Sequence, residues 1–241
     1  MSKIIAIIPA RSGSKRIKNK NIKKIFGKPM IAWTIIAAKK SKLFDKVLVS
    51  TDSNKIAKIA KRYGADVPFL RKKFNDDITP VSLATIHSLK EASAYWNEKY
   101  DIVVQLMANC PLRNDSDIKK SISNFKNKKR NFQISCFKFG WMNPWWSFQL
   151  DVKNRVKALF PNQLKKRSQD LKDLYCPTGA IWIAKYKKLI KSKTFYGKNV
   201  CFEELNWINA IDIDDKEDFK FAQISKKFKN KIYFLVTYMH N

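Results

Sequence analysis

The sequence has few of the residues that most often perform proton transfer or bind transition metals. It contains only two histidines, His87 and His240, and we predict that His87 is a structural residue within a helix. The four cysteines stand far apart without a Cys-x-x-Cys pair, which indicates reduced thiols rather than disulfides or a zinc site. They are Cys110, Cys136, Cys176 and Cys201. The sequence therefore argues against histidine-based catalysis and against a cysteine-based metal centre.

Long hydrophobic runs are also missing. No stretch approaches the 18 apolar residues that a transmembrane helix needs. The apolar run near the N-terminus is too short for the hydrophobic part of a signal peptide, and no small-residue cleavage site follows it. We therefore expect a cytoplasmic protein with no membrane partner.

Acidic residues are scarce: 20 Asp and Glu face 49 Lys and Arg, for a net charge of +29. Such a charge can indicate nucleic-acid binding. The basic residues, however, are mostly lysines spread along the whole chain, and no helix-turn-helix, zinc-finger or RNA-binding signature is present. We interpret the charge as a general property of the surface that also attracts an anionic substrate.

The opening residues carry the first chemical signal. The β-branched run 4–8 is typical of a strand buried on both faces. The loop after it contains Gly13 between Ser12 and Ser14, so that backbone N–H groups and hydroxyls can face an anion. Four cations in the same loop match phosphate: Arg11, Lys15, Arg16 and Lys20. The spacing fits neither of the two common glycine-rich phosphate motifs, so the alternatives are a polyphosphate cradle and an ordinary basic loop.

A pair of aspartates carries the second signal. We predict a strand over 207–214, in which Asp212 and Asp214 would point to the same side. Such a pair can hold one Mg²⁺ together with substrate phosphates. The alternative is helix capping by Asp214 or Asp215 with acidic residues in the first turn. We expect both: a metal pair at 212 and 214, and a helix that opens at 215–218.

Strand and helix patterns alternate along the chain. Besides 207–214, five segments are apolar or β-branched, and five others are amphipathic. We expect strands over 4–8, 46–50, 101–107, 131–139 and 180–184, and helices from Pro29, over 54–63, over 81–96, from 114 or 115 to 125, and from 215 to 228. This alternation predicts an α/β fold with a doubly wound, mostly parallel sheet, in which ligands bind beyond the carboxyl ends of the strands. We treat residues 1–241 as one domain.

One stretch, 140–170, departs from that alternation. It contains aromatic residues close together and then a basic, poorly periodic segment. The aromatic residues are Trp141, Trp145, Trp146 and Phe148. A stacking platform, a subunit contact and a loop that covers the core are all compatible with this pattern.

Five motifs, taken in order, resemble those of the acylneuraminate cytidylyltransferases, the CMP-sialic acid synthetases. The resemblance covers roughly residues 3–225, and its opening motif is shared with the CMP-Kdo synthetases. The motifs are Ile8-Pro-Ala10-Arg11-x-Gly13-Ser14-Lys15 with Lys20-Asn21, Ser50-Thr-Asp52, Cys110-Pro-Leu-Arg113, Arg167-x-Gln169-Asp-Leu, and Ile211-Asp212-Ile-Asp214.

The resemblance implies a Rossmann-like nucleotidyltransferase that joins CMP from CTP to the anomeric hydroxyl of a nonulosonic acid and releases pyrophosphate. It implies Arg11, Lys20 and Asp212 as catalytic residues, and Mg²⁺ on Asp212 and Asp214. The nucleotide-binding residues would be Ala10, Arg11, Ser12, Gly13, Ser14, Asn21 and Arg71. The sugar-binding residues would be Gln105, Met107, Arg167, Gln169 and Thr178, with Lys165 and Lys166 as further candidates.

The family also implies a homodimer in which the excursion at 140–170 contacts the neighbour and covers its sugar site. Two positions depart from the sialic acid synthetases: Met107 stands where they tend to have Gln, and Cys176-Pro-Thr178 replaces Arg-Pro-Asn. These changes leave legionaminate and pseudaminate open as sugars. A CMP-Kdo synthetase, a glycosyltransferase with an Asp-x-Asp site and a basic nucleic-acid-binding protein are the alternative functions. Residues 229–241 lie beyond the resemblance. An added edge strand and a tail that packs on the domain are the two alternatives for them.

Overall fold

A computed structural model describes residues 2–140 and 142–238, with side chains described as far as residue 228. Its strands and helices follow one another along the chain in a largely alternating order. They are β1 (Ile4–Pro9), β2 (Lys24–Ile25), β3 (Lys28–Pro29), α1 (Met30–Ser41), β4 (Lys46–Ser50), α2 (Asn54–Arg62), α3 (Val81–Trp96), β5 (Ile102–Gln105), α4 (Asp115–Asn127), β6 (Phe132–Lys138), β7 (Phe148–Leu150), β8 (Val156–Ala158), β9 (Tyr175–Lys185), α5 (Tyr186–Ser192), β10 (Cys201–Glu204) and α6 (Lys216–Tyr238).

Six strands form one mixed sheet in the order β10-β6-β9-β5-β1-β4. Only β9 runs antiparallel to its neighbours β5 and β6, and the other pairs are parallel. The prediction of an α/β protein with a mostly parallel sheet is confirmed. The sheet is mixed and not fully parallel, because β9 is antiparallel to both of its neighbours.

The central strand β1 is buried on both faces, as its continuous apolar run predicts. Ile4, Ala6 and Ile8 pack into a core shared with helices α1, α2 and α4. Ile5 and Ile7 pack into a second core shared with α3 and α5. Helices thus cover both faces of the sheet, and its strand ends are left for loops.

The helix starts follow local sequence rules. The Ser53 hydroxyl accepts a hydrogen bond from the backbone N–H of Ile56 at the start of α2. Asn114 and Asp117 form a reciprocal capping box at the start of α4. Each cap satisfies backbone N–H groups that lack a partner within the helix. These short-range signals explain why the sequence predicts these helices closely.

The predicted strand over 207–214 is wrong. Residues 207–210 form a turn, and residues 211–214 have no regular secondary structure and do not pair with the sheet. The N–H of Ile213 instead donates to the carbonyl of Asn109, at 2.9 Å. The sheet ends at β10, whose four residues alternate exposed and buried side chains and gave only a weak strand pattern. The two aspartates therefore lie in a loop.

The excursion forms a small antiparallel hairpin, β7 with β8, separate from the main sheet. Trp145 donates its indole N–H to the carbonyl of Lys172 at 2.8 Å and meets Phe160 edge-on at 5.0 Å. Trp141 lies outside the described residues. A platform made of all four aromatic residues therefore stays a prediction.

Three smaller findings complete the fold. All four cysteines are free thiols, and Cys110 and Cys136 are buried. The backbone from 229 to 238 continues helix α6, so an added edge strand is excluded there. In the part of the chain that the structure describes, no helix has both the length and the apolar character needed to cross a bilayer.

Candidate active site

A cleft of about 490 Å³ lies beyond the carboxyl ends of strands β1, β4 and β5. The loop after β1, the segment 71–81 and the turn after β5 form its walls. Its charged lining residues are Arg11, Lys15, Arg16, Lys20, Arg71, Asp76, Asp77 and Asp214. This position agrees with the rule that open α/β sheets bind ligands at this edge.

Asp52, at the end of β4, fixes the loop that follows β1. Its carboxylate accepts hydrogen bonds from the Ser12 N–H at 2.8 Å and from the Ser12 hydroxyl at 2.9 Å. Across the loop, the Asn21 side-chain amide donates to the carbonyl of Arg11 at 2.9 Å. Ser12 and Asn21 are thus engaged in shaping the loop, while Arg11 and Ser14 line the cleft. The sequence motif contains Asp52 but did not reveal this positioning role.

Arg71 is a buried cation at the back of the cleft. Its Nε donates to Asn75 at 2.8 Å, and its Nη1 donates to the Ser50 hydroxyl at 2.9 Å and to the Ser50 carbonyl at 3.2 Å. Burial lowers the pKa of this guanidinium, and the nearby Asp52 partly offsets the effect. Because free arginine titrates far above neutral pH, Arg71 supplies a fixed positive charge to the cleft wall.

Asp212 and Asp214 meet at Asn109, in the turn after β5. The Asn109 amide contacts the carboxylate of Asp212 closely and lies 3.2 Å from that of Asp214. Lys20 donates to Asp214 at 2.8 Å and to the carbonyl of Ile213 at 3.0 Å. The aspartates are therefore brought together, as predicted, but by an asparagine side chain and not by a strand. Asn109 has no distinctive sequence signal, and sequence reasoning missed it.

The two carboxylates have opposite electrostatic surroundings. Burial, followed by the charge of Asp214, raises the pKa of Asp212 to about 6. Burial also disfavours the charged form of Asp214, but the hydrogen bond and charge of Lys20, helped by Arg16, lower its pKa overall. Arg16 reaches the second oxygen of Asp214 at 2.9 Å. Among the side chains that the structure describes, no cation is therefore paired with Asp212 directly, and Lys20 acts on it only from a distance.

That pair is the best candidate for a divalent cation. Two aspartate carboxylates provide hard oxygen donors, and a cation beside them would offset the burial, and then the repulsion from Asp214, that raise the pKa of Asp212. Among the residues that the structure describes, no group of three or more Asp, Glu, His or Cys side chains could hold a metal. The donor set therefore fits a cation whose remaining ligands come from a substrate and water.

The Cys110-Pro-Leu-Arg113 motif holds the turn after β5 against β9. Arg113 is buried and donates to the carbonyl of Ala180 at 2.8 Å. Cys110 is also buried, and desolvation followed by the charge of Asp212 raises the pKa of its thiol well above the ordinary value. Both residues therefore support the position of Asn109 and Asp212 rather than face the cleft.

A second cavity of about 640 Å³ lies on the other side of Asp212, between β6, β9 and the segment 207–221. Most of its wall is apolar. The lining includes Phe137, Phe139, Met142, Pro177, Thr178, Trp207, Ile211, Asp212 and Phe221. Trp207 and Phe221 stack with ring centroids 5.8 Å apart. We call this space the apolar cavity and the first one the charged cleft.

Gly179 lies at the boundary between the two spaces. A Cβ atom on Gly179 would stand 2.8 Å from Cγ of Met107 and 3.0 Å from Oδ2 of Asp212. Such distances are too short for ordinary packing, so glycine is required there by the close approach of Met107 and Asp212. Met107 lines the charged cleft and Asp212 lines the apolar cavity.

The predicted sugar-binding residues divide into two groups. Met107 lines the charged cleft, Thr178 lines the apolar cavity, and Gln105 is buried beneath them with its side-chain oxygen bonded to Thr85 at 2.6 Å. The Thr178 hydroxyl is used within the chain, donating to the carbonyl of Ala210 at 2.7 Å.

Arg167 and Gln169, by contrast, are exposed in the excursion. Arg167 pairs with Asp170 at 2.8 Å, and neither Arg167 nor Gln169 lines either cavity of the described chain. Lys165 and Lys166 lie in the same exposed segment.

The acidic residues after the pair open helix α6, as predicted. Asp215 accepts hydrogen bonds from the N–H groups of Glu217 and Asp218, at 2.8 and 2.9 Å. Asp218 in turn accepts one from the N–H of Asp214 at 2.9 Å. The capping interpretation and the clustering of the two aspartates therefore hold at the same time.

Comparison with known proteins identifies the family. The family model described as cytidylyltransferase matches residues 5–233. A pseudaminic acid cytidylyltransferase of Campylobacter jejuni is 33% identical, over 95% of this chain and 98% of the relative. A CMP-N,N'-diacetyllegionaminic acid synthase of Legionella pneumophila is 33% identical, over 92% of this chain and 95% of the relative.

A solved structure of CMP:2-keto-3-deoxy-manno-octonic acid synthetase complexed with CTP superimposes with a TM-score of 0.66, covering 95% of this chain and all of that one. Its sequence is 15% identical, so this likeness concerns the fold alone. The family match and the relatives confirm the resemblance drawn from the five motifs. The chain belongs to the cytidylyltransferase family and is a nucleotidyltransferase of the acylneuraminate cytidylyltransferase type.

Proposed function

We propose that this protein transfers CMP from CTP to the anomeric hydroxyl of a sialic-acid-like nonulosonic acid and releases pyrophosphate. One observation carries the proposal: Asp214 lines the charged cleft, Asp212 lines the apolar cavity, and both carboxylates contact the side chain of Asn109. The cleft suits a nucleoside triphosphate and the cavity suits an acylated sugar. The reacting phosphorus and hydroxyl would lie where the two spaces meet.

The loop 10–21 would hold the triphosphate. Backbone N–H groups near Gly13 and the Ser14 hydroxyl suit phosphate oxygens, and the guanidinium groups of Arg11 and Arg71 add charge-assisted contacts. Lys20 stands at the junction, 2.8 Å from Asp214. From there its ammonium group would stabilise the negative charge that develops on the departing pyrophosphate.

Asp212 and Asp214 would hold Mg²⁺. When bound there, the ion would neutralise phosphate charge and lower the pKa of the attacking hydroxyl. The protein's own contribution is orientation: Asn109 fixes both carboxylates, and Gly179 allows Asp212 to approach the turn after β5. Phosphoryl transfer depends on such positioning and charge more than on covalent help from the protein.

The apolar cavity bears on the choice of sugar. Aromatic and sulfur-containing side chains, Phe137, Phe139, Met142, Trp207 and Phe221, form much of its wall. Such a wall suits methyl and acetamido groups better than free hydroxyls, which would lose hydrogen bonds to water there. We therefore favour a deoxy, diacylated acid of the pseudaminic or legionaminic kind, in line with the relatives named above. Thr178 would contact it from the cavity wall, and Met107 would contact it from the cleft side of Gly179, with the buried Gln105 supporting Met107.

We further propose that the protein is a single domain that works as a homodimer in the cytoplasm. The excursion hairpin exposes Leu150, Val152 and Val156, which are at least 66% accessible in the single chain. Contact with a second copy would bury this surface. It would also bring Arg167 and Gln169 towards the neighbour's apolar cavity, which they do not line in their own chain.

The test is pyrophosphate release from CTP and Mg²⁺ with a panel of nonulosonic acids. Pseudaminic, legionaminic, N-acetylneuraminic and Kdo acids should be compared, with ATP, GTP and UTP as nucleotide controls. We expect release with CTP and with at least one deoxy, diacylated acid. Release only with Kdo would contradict the assignment of the sugar class, and no release with any acid would contradict the reaction itself.

A further inference from the structure

A carboxylate already stands among the cations of the charged cleft. One oxygen of Asp77 contacts the guanidinium of Arg11, and the other lies 2.5 Å from the ammonium nitrogen of Lys15. The Asp77 side chain is 30% exposed, and that of Lys15 is 83% exposed. The two oxygens thus bridge two cations that come from a different loop, in an open part of the cleft.

The segment 71–79 is built to present this carboxylate. At its start, Arg71 and Asn75 bond to each other twice, at 2.8 and 3.0 Å. At its end, Asp76 accepts hydrogen bonds from the N–H groups of Ile78 and Thr79, at 2.8 and 2.6 Å. Asp77 lies within this anchored segment. The contacts described for its side chain reach across the cleft to Arg11 and Lys15.

Lys15 and Arg11 keep Asp77 ionised. The hydrogen bond from Lys15, and then that from Arg11, hold the pKa of this carboxyl below its ordinary value despite some desolvation. A carboxylate and a phosphate present similar charged oxygens to arginine and lysine. Asp77 therefore makes, within the chain, the kind of contacts that a phosphate group would make.

We propose that Asp77 is a specificity-determining residue that occupies the phosphate position between Arg11 and Lys15 when the cleft is empty and competes there with phosphate anions. The proposal rests on the proposed function, which assigns this cleft to the triphosphate. The carboxylate holds both cations in place before substrate arrives. It must be displaced by an entering polyphosphate, and it returns as pyrophosphate leaves.

Two consequences follow from this competition. Weakly charged anions displace Asp77 poorly, so the cleft discriminates in favour of a triphosphate. Pyrophosphate, once formed, competes against a carboxylate that is held nearby at high effective concentration. Asp77 thus lowers the affinity for the product and favours its release.

The experiment measures binding of inorganic pyrophosphate by titration calorimetry in metal-free buffer containing a chelator. The variant is Asp77→Asn, and Glu98→Gln is its charge-matched control. The Glu98 carboxylate pairs with Lys3 at 3.3 Å, before the start of β1, and lines neither the charged cleft nor the apolar cavity, while its substitution removes the same charge. Thermal melting of both variants verifies that they are folded.

Exposed ion pairs each change an equilibrium by a factor of about 1.5 to 5, so the loss of two should tighten pyrophosphate binding by about five- to tenfold in Asp77→Asn. Glu98→Gln should stay within about twofold of the wild type, because Glu98 lies outside the cleft and contacts none of its cations. Under turnover, product inhibition by pyrophosphate should become stronger by a similar factor in Asp77→Asn only.

Four results would overturn the inference. Equal tightening in both variants would indicate a general charge effect, and unchanged or weaker binding in Asp77→Asn would show that the carboxylate does not compete. A loss of affinity only when Mg²⁺ is added would make Asp77 a metal ligand instead. If neither the wild type nor Asp77→Asn binds pyrophosphate, the phosphate assignment of the cleft fails as well. Cytidylyl transfer by the wild type is measured separately, so failure of the proposed function can be distinguished.

Discussion

The charged cleft and the apolar cavity lie on either side of the Asp212–Asp214 pair and, under the proposed function, would recognise their ligands by different physics. The cleft is dominated by ion pairs and hydrogen bonds among residues that neighbouring loops contribute. The cavity is walled by aromatic side chains with few polar groups. Charge attracts any polyphosphate, whereas a shaped apolar wall distinguishes one sugar from another. Substitutions in the two spaces should therefore alter different kinetic constants.

The largest expected effect comes from removing the cation at the junction. Lys20→Met should lower kcat by about a hundred- to a thousandfold, the usual loss when one charge-stabilising donor is removed. The thermal midpoint should also fall, because the Lys20 side chain is only 15% exposed and its loss removes the 2.8 Å ion pair with Asp214. Turnover is therefore compared at a temperature at which both proteins are folded. Steady-state pyrophosphate release with saturating CTP and sugar measures the effect.

Lys18→Met is the matched control for this substitution. Lys18 is an exposed lysine two positions earlier in the same loop, so its loss changes the net charge by the same amount. It should retain kcat within about twofold. Equal losses in both variants would mean that overall loop charge, and not the contact of Lys20 with Asp214, matters for turnover.

The boundary between the two spaces offers the next test. Gly179→Ala places a methyl group 2.8 Å from Met107 and 3.0 Å from Asp212. Since an error of about 1 Å in a reacting group can cost a hundredfold, kcat should fall by about ten- to a hundredfold. Gly140→Ala is the control for kcat at saturating sugar, because Gly140 lines the apolar cavity but nothing lies within 4 Å of its added Cβ atom. Unchanged kinetics in Gly179→Ala would show that the position of Asp212 tolerates displacement.

The contrast between the two spaces also explains what the sequence could predict. Much of the charged cleft comes from one continuous segment, 9–21, that follows a strand with an unmistakable apolar run. Strand β1, the loop and its cations are therefore predictable from local patterns. The same is true of helix α3, whose predicted bounds agree with the structure.

The apolar cavity, by contrast, is assembled from β6, β9, the turn at 207–210 and helix α6. No local pattern unites these segments. The apolar alternation of residues 207–214 suggested a strand. In the structure, however, the backbone N–H of Ile213 donates to the carbonyl of Asn109 and not to a strand of the sheet. Tertiary contacts of this kind override local propensity. Asn109 itself, an ordinary loop residue by sequence, acquires its role only when the two loops meet.

The electrostatic asymmetry of the aspartate pair gives a pH-dependent prediction. Because the pKa of Asp212 is about 6 in the fold and 3.8 in the ordinary state, the folded protein binds more protons between these values. In metal-free buffer, its contribution to stability is greatest below pH 3.8 and decreases as the pH rises through about 6. The unfolding free energy of the wild type minus that of Asp212→Asn should fall by about 2–3 kcal/mol from pH 3.5 to pH 8.

The stability difference between the wild type and Asp214→Asn should depend on pH in the opposite direction. The pKa of Asp214 lies below its ordinary value of 3.8, so its stabilising contribution is present above that pH and is lost as the pH falls through the lowered pKa. Denaturant unfolding at a series of pH values measures both differences, and the pH-independent cost of each Asn cancels in the slope. A flat Asp212 difference between pH 4 and pH 7 would contradict the unbalanced charge assigned to that carboxylate.

The smallest expected effect concerns the sugar side alone. Trp207→Ala removes one ring of the stacked pair that lines the apolar cavity. The KM for the sugar should rise about tenfold, as expected for losing apolar contacts to part of one ligand, while the KM for CTP stays within about twofold. Trp207→Phe should restore most of the loss because it keeps an aromatic wall.

Tyr95→Ala, at another exposed aromatic residue that lines neither cavity, is the control. A rise in the KM for CTP of the same size would mean that the two spaces are not separate, because one aromatic wall would then serve both substrates.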